Sequence, residues 1–331
     1  MSLERVILLL TNACSHSCSF CYRRALIRSL GENNMSPEAG VNAVEFFLSR
    51  VDNPDDFIVS FWGGEPLDRP ETIGAVTKAF PQLKYDLVSN GGNIDVLRDI
   101  HSLSFVWSVG DAEEKYGSIV GKIQANKDIV EFVREKNHAI SFFASNYKNI
   151  AWDYRILREI TDKVILELPM KYKVMSEADI EIASDQIAII ISEYGDDVLL
   201  SGRSAKKYLE RLSGAKSFSY CGCGLDRMLA DGRGDIWLCD GSYINSIDKL
   251  GTIHDGINDS LLDPFRALHG NPESIYSECS ECEVYGYCLR TKCMGDNIER
   301  TGNPFMPDKA FCSGNKAFYR GALKYLRRNN E

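Results

Sequence analysis

Short apolar runs alternate with amphipathic ones along the first two hundred residues. Arg5–Leu10, Phe57–Trp62, Tyr85–Ser89, Ser104–Val109, Ala139–Phe143 and Val164–Leu168 read as strands. Helical spacing of apolar positions appears near 37–51, 70–79, 93–99, 124–136 and 153–161. Gly, Pro, Asn and Asp cluster in the links, as at Asn53-Pro54-Asp55-Asp56. Repeated strand–helix alternation implies a parallel sheet with right-handed crossovers. The periodicity leaves open whether that sheet curls into a partial barrel. In either case ligands gather at the C-terminal ends of the strands.

Composition narrows the classes. The chain has 331 residues, enough for two domains with real cores, and is 44% hydrophobic and 26% charged. A net charge of −9 with no long basic run argues against a nucleic-acid grip. No apolar stretch approaches the ~20 residues of a membrane span. Val6–Leu10 is too short for a signal-peptide core, and the expected location is the cytoplasm. Eleven cysteines in a reducing compartment are not disulfides. Three lie at 14–21, eight at 221–312, and none between, which suggests separate metal sites in two domains.

The first three, Cys14, Cys18 and Cys21, follow the first strand with C-x3-C-x2-C spacing. Three thiolates on one loop suit an iron–sulfur cluster or a zinc ion. Three is one short of the set for a [4Fe–4S] cluster, so the fourth iron would be open. A structural zinc would want a fourth ligand, and His16, inside the loop, is poorly placed to serve. The second strand ends in Gly63-Gly64-Glu65-Pro66: glycines permit close backbone approach, Pro66 stiffens the turn, and Glu65 offers a carboxylate. The third ends in Ser89-Asn90-Gly91-Gly92 and the fourth in Ser108-Val109-Gly110-Asp111, whose residues are also ordinary turn and cap formers.

In the second region two patterns stand out: Gly234-x4-Cys239, and Cys279-x2-Cys282-x5-Cys288-x4-Cys293 with Cys312 beyond. With Cys221 and Cys223 they make eight thiols, the number needed by two four-cysteine clusters or by two structural zinc sites. Asp231-Gly232-Arg233-Gly234-Asp235 reads as a turn into the strand Ile236-Trp237-Leu238. Asp240 reads equally as a strand-end turn residue with Gly241 or as the first candidate for chemistry, where a carboxylate could act as a base, and Tyr243 is a weaker candidate. Residues 202–208 read as a hinge followed by a helix, and Lys324–Arg328 as a solvated helix end.

The cysteine triplet, with Phe20 just before Cys21, resembles the radical S-adenosylmethionine (SAM) superfamily, and the second cysteine set resembles its SPASM extension. The resemblance covers nearly the whole chain. It implies an α/β fold: a partial (β/α)6 barrel of parallel strands over 1–200, then a small cysteine-rich α+β SPASM domain over 201–331. It implies a [4Fe–4S] cluster on Cys14, Cys18 and Cys21 that binds SAM and splits it to a 5′-deoxyadenosyl radical. SAM contacts would come from Gly63, Gly64, Glu65, Pro66, Ser89, Asn90, Ser108 and Asp111. Two auxiliary [4Fe–4S] clusters would follow, one on Cys221, Cys223, Cys239 and Cys293, the other on Cys279, Cys282, Cys288 and Cys312. The x4 spacing before Cys293 and the tight Cys221-x-Cys223 pair depart from the family pattern. Asp240 falls where some peptide-oxidising relatives place an aspartate that takes a substrate proton.

The implied reaction is oxidation or crosslinking of a side chain in a ribosomally made peptide. Oxidation of a small metabolite, sulfatase maturation, and a zinc-stabilised interaction protein are the rivals. Implied partners are the substrate and an electron donor such as flavodoxin or ferredoxin; because the first strand begins almost at Met1, a peptide would be recognised by a separate leader-peptide-binding protein or by the barrel mouth. Nucleic acid and membrane are not expected partners.

Overall fold

The computed structural model describes residues 3–16, 18, 21, 23, 31, 33–144, 146–168, 174–200, 203–212, 222–246, 249–270, 279, 281–284, 288, 297, 301–303 and 306–329. The strands are β1 Arg5–Thr11, β2 Ile58–Gly63, β3 Lys84–Ser89, β4 Leu103–Ser108, β5 Ala139–Phe143, β6 Val164–Glu167, β7 Leu199–Leu200, β8 Arg203–Ser204, β9 Arg227–Ala230, β10 Asp235–Trp237, β11 Lys249–Thr252 and β12 Gly256–Ile257. The helices are α1 Pro37–Leu48, α2 Pro70–Ala79, α3 Ala112–Tyr116, α4 Ile119–Ala125, α5 Lys127–Lys136, α6 Ile150–Arg158, α7 Glu177–Tyr194, α8 Ala205–Leu212, α9 Asp240–Ile244, α10 Asp263–Gly270 and α11 Lys309–Asn329. The chain divides into two compact units, one of residues 1–106 and 222–271, the other of 107–221 and 272–331.

In the first unit β1 is the organising strand. Its residues Val6, Leu8, Leu9 and Leu10 are buried, as a strand covered on both faces requires. On one side β1 pairs in parallel with β2, from Arg5 opposite Ile58 to Leu9 opposite Trp62, and β2 pairs in parallel with β3. The C-terminal ends of these strands, Thr11, Gly63 and Ser89, therefore lie on one edge. Phe61 and Tyr85 stack across β2 and β3 with centroids 5.5 Å apart. On its other side β1 pairs in parallel with β9, Arg5 opposite Arg227, and β10, β11 and β12 follow antiparallel. This pairing is why the compact units do not divide at residue 200: the start of the cysteine-rich region completes the sheet beside β1.

In the second unit β5, β6 and β7 pair in parallel and β8 turns back antiparallel on β7. The α/β class with parallel strands agrees with the expectation from the sequence. Helix α7 lies outside the expected segments, although Ser176 and Asp179 form a reciprocal capping box at its start. It buries Ile180, Ala183, Ile187, Ile190 and Ile191, and α11 packs along it. A Cβ on Gly321 would lie 2.6 Å from Ile187 Cγ2, so glycine allows the close approach. Lys324, expected in solvent, instead bonds Glu181 at 2.6 Å and Asp185 at 2.9 Å on α7. The expected helix at 93–99 shrinks to a single turn, Asp95–Leu97.

Candidate active site

The loop after β1 and the loop after β2 are built against each other. Gly64 N–H donates to Thr11 C=O at 2.8 Å, and Glu65 N–H to Ala13 C=O at 2.8 Å. Gly63 has φ +151°, and a Cβ there would sit 2.5 Å from the Thr11 carbonyl oxygen. A Cβ on Gly64 would run into the Ala13 carbonyl. The two glycines are thus demanded by the backbone that leads into the cysteines. Thr11 Oγ1 accepts from Ala13 N–H at 3.0 Å and donates to Asn34 Oδ1 at 2.7 Å, fixing the same turn.

Cys14, Cys18 and Cys21 are all partly buried, and Cys21 N–H donates to Cys18 C=O at 3.1 Å. Burial pushes the Cys14 thiol up to about 11, against the lowering effect of the His16 N–H, with the Glu65, Cys21 and Asp68 charges adding to the rise. Three partly buried thiols on one short loop fit a metal cluster, which would bind them as thiolates.

Glu65 is 2% exposed. Its Oε1 accepts from Leu67 N–H at 2.9 Å and from the Ser89 hydroxyl at 2.7 Å, and its Oε2 from Asn90 N–H at 2.9 Å. Burial raises the pKa of the carboxyl, the Asn90, Leu67 and Ser89 donors oppose the rise, and Asp68 adds to it. Pro66 opens the short turn Pro66–Asp68, for which Glu65 is the cap. The Glu65 carboxylate is therefore occupied in joining β2 to β3.

In the second unit, Ser108 and Asp111 meet at a residue the sequence reading missed. Lys122, 1% exposed, forms an ion pair with Asp111 and donates to the Ser108 carbonyl at 2.9 Å. Its ammonium lies 5.6 Å from the centre of the Trp107 ring and 5.7 Å from that of Tyr116. On a short helix a lysine reads as solvated, so the sequence carried little signal for it.

Six of the eight later cysteines lie among the described residues. In the second unit burial, with the Cys288, Cys279, Cys282 and Asp308 charges adding to it, pushes the Cys312 thiol up to about 12, so Cys312 senses the other three thiols. That donor set fits the four-cysteine site expected. In the first unit Cys223 and Cys239 are buried, while Cys221 and Cys293 lie outside the described residues. Cys239 caps α9: its sulfur accepts from Ser242 N–H, and Ser242 Oγ accepts from Cys239 N–H at 3.0 Å. Asp240, the next residue, pairs with Arg23 at 3.0 Å. Arg23 is nearly fully buried and was not anticipated, although it follows Cys21 by two positions. Tyr243 is buried too, with its hydroxyl held by Asn12 and Asn33.

No family model matches the chain, and no curated protein matches it in sequence. Solved structures do match. Hexahistidine-tagged anSMEcpe with bound AdoMet, an anaerobic sulfatase-maturing enzyme, has a TM-score of 0.71 at 16% identity, over 100% of this chain and 96% of its own. The chain shares the fold of that enzyme. Native anSMEcpe with AdoMet and the Cp18Cys peptide gives a TM-score of 0.67 at 14% identity, over 100% of both chains. Streptococcus suis SuiB bound to S-adenosylmethionine gives 0.59 at 16% identity, over 92% of this chain and 76% of its own. The likeness to anSMEcpe covers the whole chain. No described helix is long and apolar enough to cross a membrane.

Proposed function

We propose that this protein is a radical SAM enzyme of the SPASM type that oxidises or crosslinks a side chain of a peptide. The observation that carries the reading is the backbone interlock of Gly63-Gly64-Glu65 with Thr11-Asn12-Ala13, which sets the three-cysteine loop beside the glycine loop on one strand edge. When bound there, a [4Fe–4S] cluster supplies the electron that splits SAM into methionine and a hydrogen-abstracting 5′-deoxyadenosyl radical. Cys14, Cys18 and Cys21 hold it. SAM meets Gly63–Pro66 on this edge, and Ser89 and Asn90 are further contact candidates there.

Cys279, Cys282, Cys288 and Cys312 hold one auxiliary cluster; Cys223 and Cys239, with Cys221 and Cys293, hold the other. Asp240, beside Cys239, takes the proton that substrate oxidation releases, and the Arg23 guanidinium orients its carboxylate. The peptide substrate is supported by anSMEcpe, which shares the fold along its whole length and has been crystallised with a peptide. Flavodoxin or ferredoxin serves as electron donor.

Anaerobic reconstitution tests the proposal. It predicts about twelve iron and twelve sulfide per chain, and 5′-deoxyadenosine formation from SAM under reduction. Cys18→Ala abolishes that product while the later cysteines keep their iron. Zinc without sulfide, or SAM cleavage by Cys18→Ala at the normal rate, overturns it.

A further inference from the structure

Tyr243 stands on α9, whose cap is Cys239. Its ring meets Trp237 edge-on, with centroids 5.5 Å apart, in a core that includes Leu9, Leu229 and Ile244. The hydroxyl oxygen accepts from Asn12 Nδ2 at 2.9 Å and from Asn33 Nδ2 at 3.2 Å. These asparagines flank the segment that carries Cys14, Cys18 and Cys21, one before it and one after it. The same two residues are joined by Asn12 N–H to Asn33 C=O at 3.1 Å. Asn33 Oδ1 also accepts from Gly232 N–H at 3.0 Å, which ties the far foot to the β9–β10 turn. A Cβ on Gly232 would sit 2.7 Å from that oxygen, so the glycine is part of the same fastening. Asn12 Nδ2 reaches Gly31 C=O as well, at 3.2 Å.

A tyrosine in a core needs some partner for its hydroxyl, and any nearby carbonyl would serve. Here both partners are donors, both are buried, and they are the two feet of one loop. A phenol oxygen can accept two such bonds at once, which few side chains in an apolar core can do. Arg23, inside the loop, and Asp240, on α9, make a second tie at 3.0 Å between the same two segments.

We propose that Tyr243 is a positioning residue for the cysteine loop: its single oxygen closes the loop's two feet and fastens them to the turn that carries Cys239. What the loop holds rests on the radical SAM reading; the clamp itself does not. Without the hydroxyl both amides lose a buried acceptor, the feet part more readily, and the three thiols keep their spacing less strictly.

Tyr243→Phe keeps the ring and removes the clamp. Hydrogen–deuterium exchange on the full reconstituted chain reads the result. Exchange at 12–16 and 33–35 should quicken by about tenfold, the value of a lost buried hydrogen bond, while exchange along β5 and β6 stays unchanged. SAM affinity, titrated on the same protein, should weaken by a similar factor at unchanged iron content. Trp237→Phe trims the same core without touching the hydroxyl, and should speed exchange in β9 and β10 but leave 12–16 and 33–35 as they are. Unchanged exchange at the two feet in Tyr243→Phe, or an equal rise there in Trp237→Phe, overturns the proposal. If the wild-type loop takes up no iron, the radical SAM reading fails, and the exchange comparison still decides the clamp.

Discussion

Glu65 accepts the Ser89 hydroxyl at 2.7 Å, and the same carboxylate accepts Asn90 N–H at 2.9 Å, so one buried side chain joins the ends of β2 and β3. Both strands end where the cysteine loop begins. The residue thus fixes the ends of the two strands relative to each other.

Glu65→Gln preserves the shape and leaves one acceptor oxygen where two accepted three bonds. The new amide must point at a donor. Loss of a buried acceptor costs about 1–3 kcal/mol, and urea unfolding monitored by circular dichroism should show a destabilisation of that size. A variant as stable as the wild type would mean that Ser89 and Asn90 find other partners.

Gly64→Ala tests the interlock. The added methyl meets the Ala13 carbonyl, which belongs to backbone and cannot rotate away. The turn leading into Cys14 must shift, and the loop should lose its iron while the later cysteines retain theirs. Iron analysis should fall by about four atoms from about twelve, and the folded fraction should hold. Full iron content in this variant would show that the loop tolerates the shift.

The fold was legible where a short apolar run sufficed. β1, β2, β3, β4, β5 and β6 fall within a residue of the expected runs, because buried parallel strands are apolar on both faces. The cysteines were legible because thiols at close spacing have few structural uses. Partnership at long range was not. β9 is four residues long, and nothing local says that it will lie parallel to β1, more than two hundred positions earlier. The part Glu65 plays in joining β2 to β3 was not legible, because its three donors come from a turn and from a strand end twenty-four positions away. Arg23 and Lys122 looked solvated because a charged residue reveals its burial only with its partner in place.

His138 should set a pH dependence. Burial beside Phe132, with Lys163 and Lys136 nearby, lowers its pKa from 6.5 to about 4. The unfolded chain therefore binds this proton more readily than the folded one between those values. Its contribution is fully present above pH 6.5 and is lost as the pH falls toward 4. Urea midpoints of wild type and His138→Gln, compared between about pH 7 and about pH 5, should show the wild type losing more. Parallel curves would place His138 in solvent.

Lys122 and Asp111 form an ion pair with almost no solvent contact, 1% and 5% exposed. Two charges taken out of water lose much of their mutual attraction to desolvation, so the intact pair adds little net stability. Removing one partner is different, because the other is left charged among Trp107, Tyr116 and the strand end. Lys122→Met should destabilise by about 3–5 kcal/mol, and Asp111→Asn should leave the ammonium similarly stranded. The double variant Lys122→Met/Asp111→Asn removes both charges and should recover most of the loss, giving a strong coupling in a double-mutant cycle. Chemical denaturation of the four proteins measures it. If the double variant lost the sum of the single effects, the two charges would not be paired.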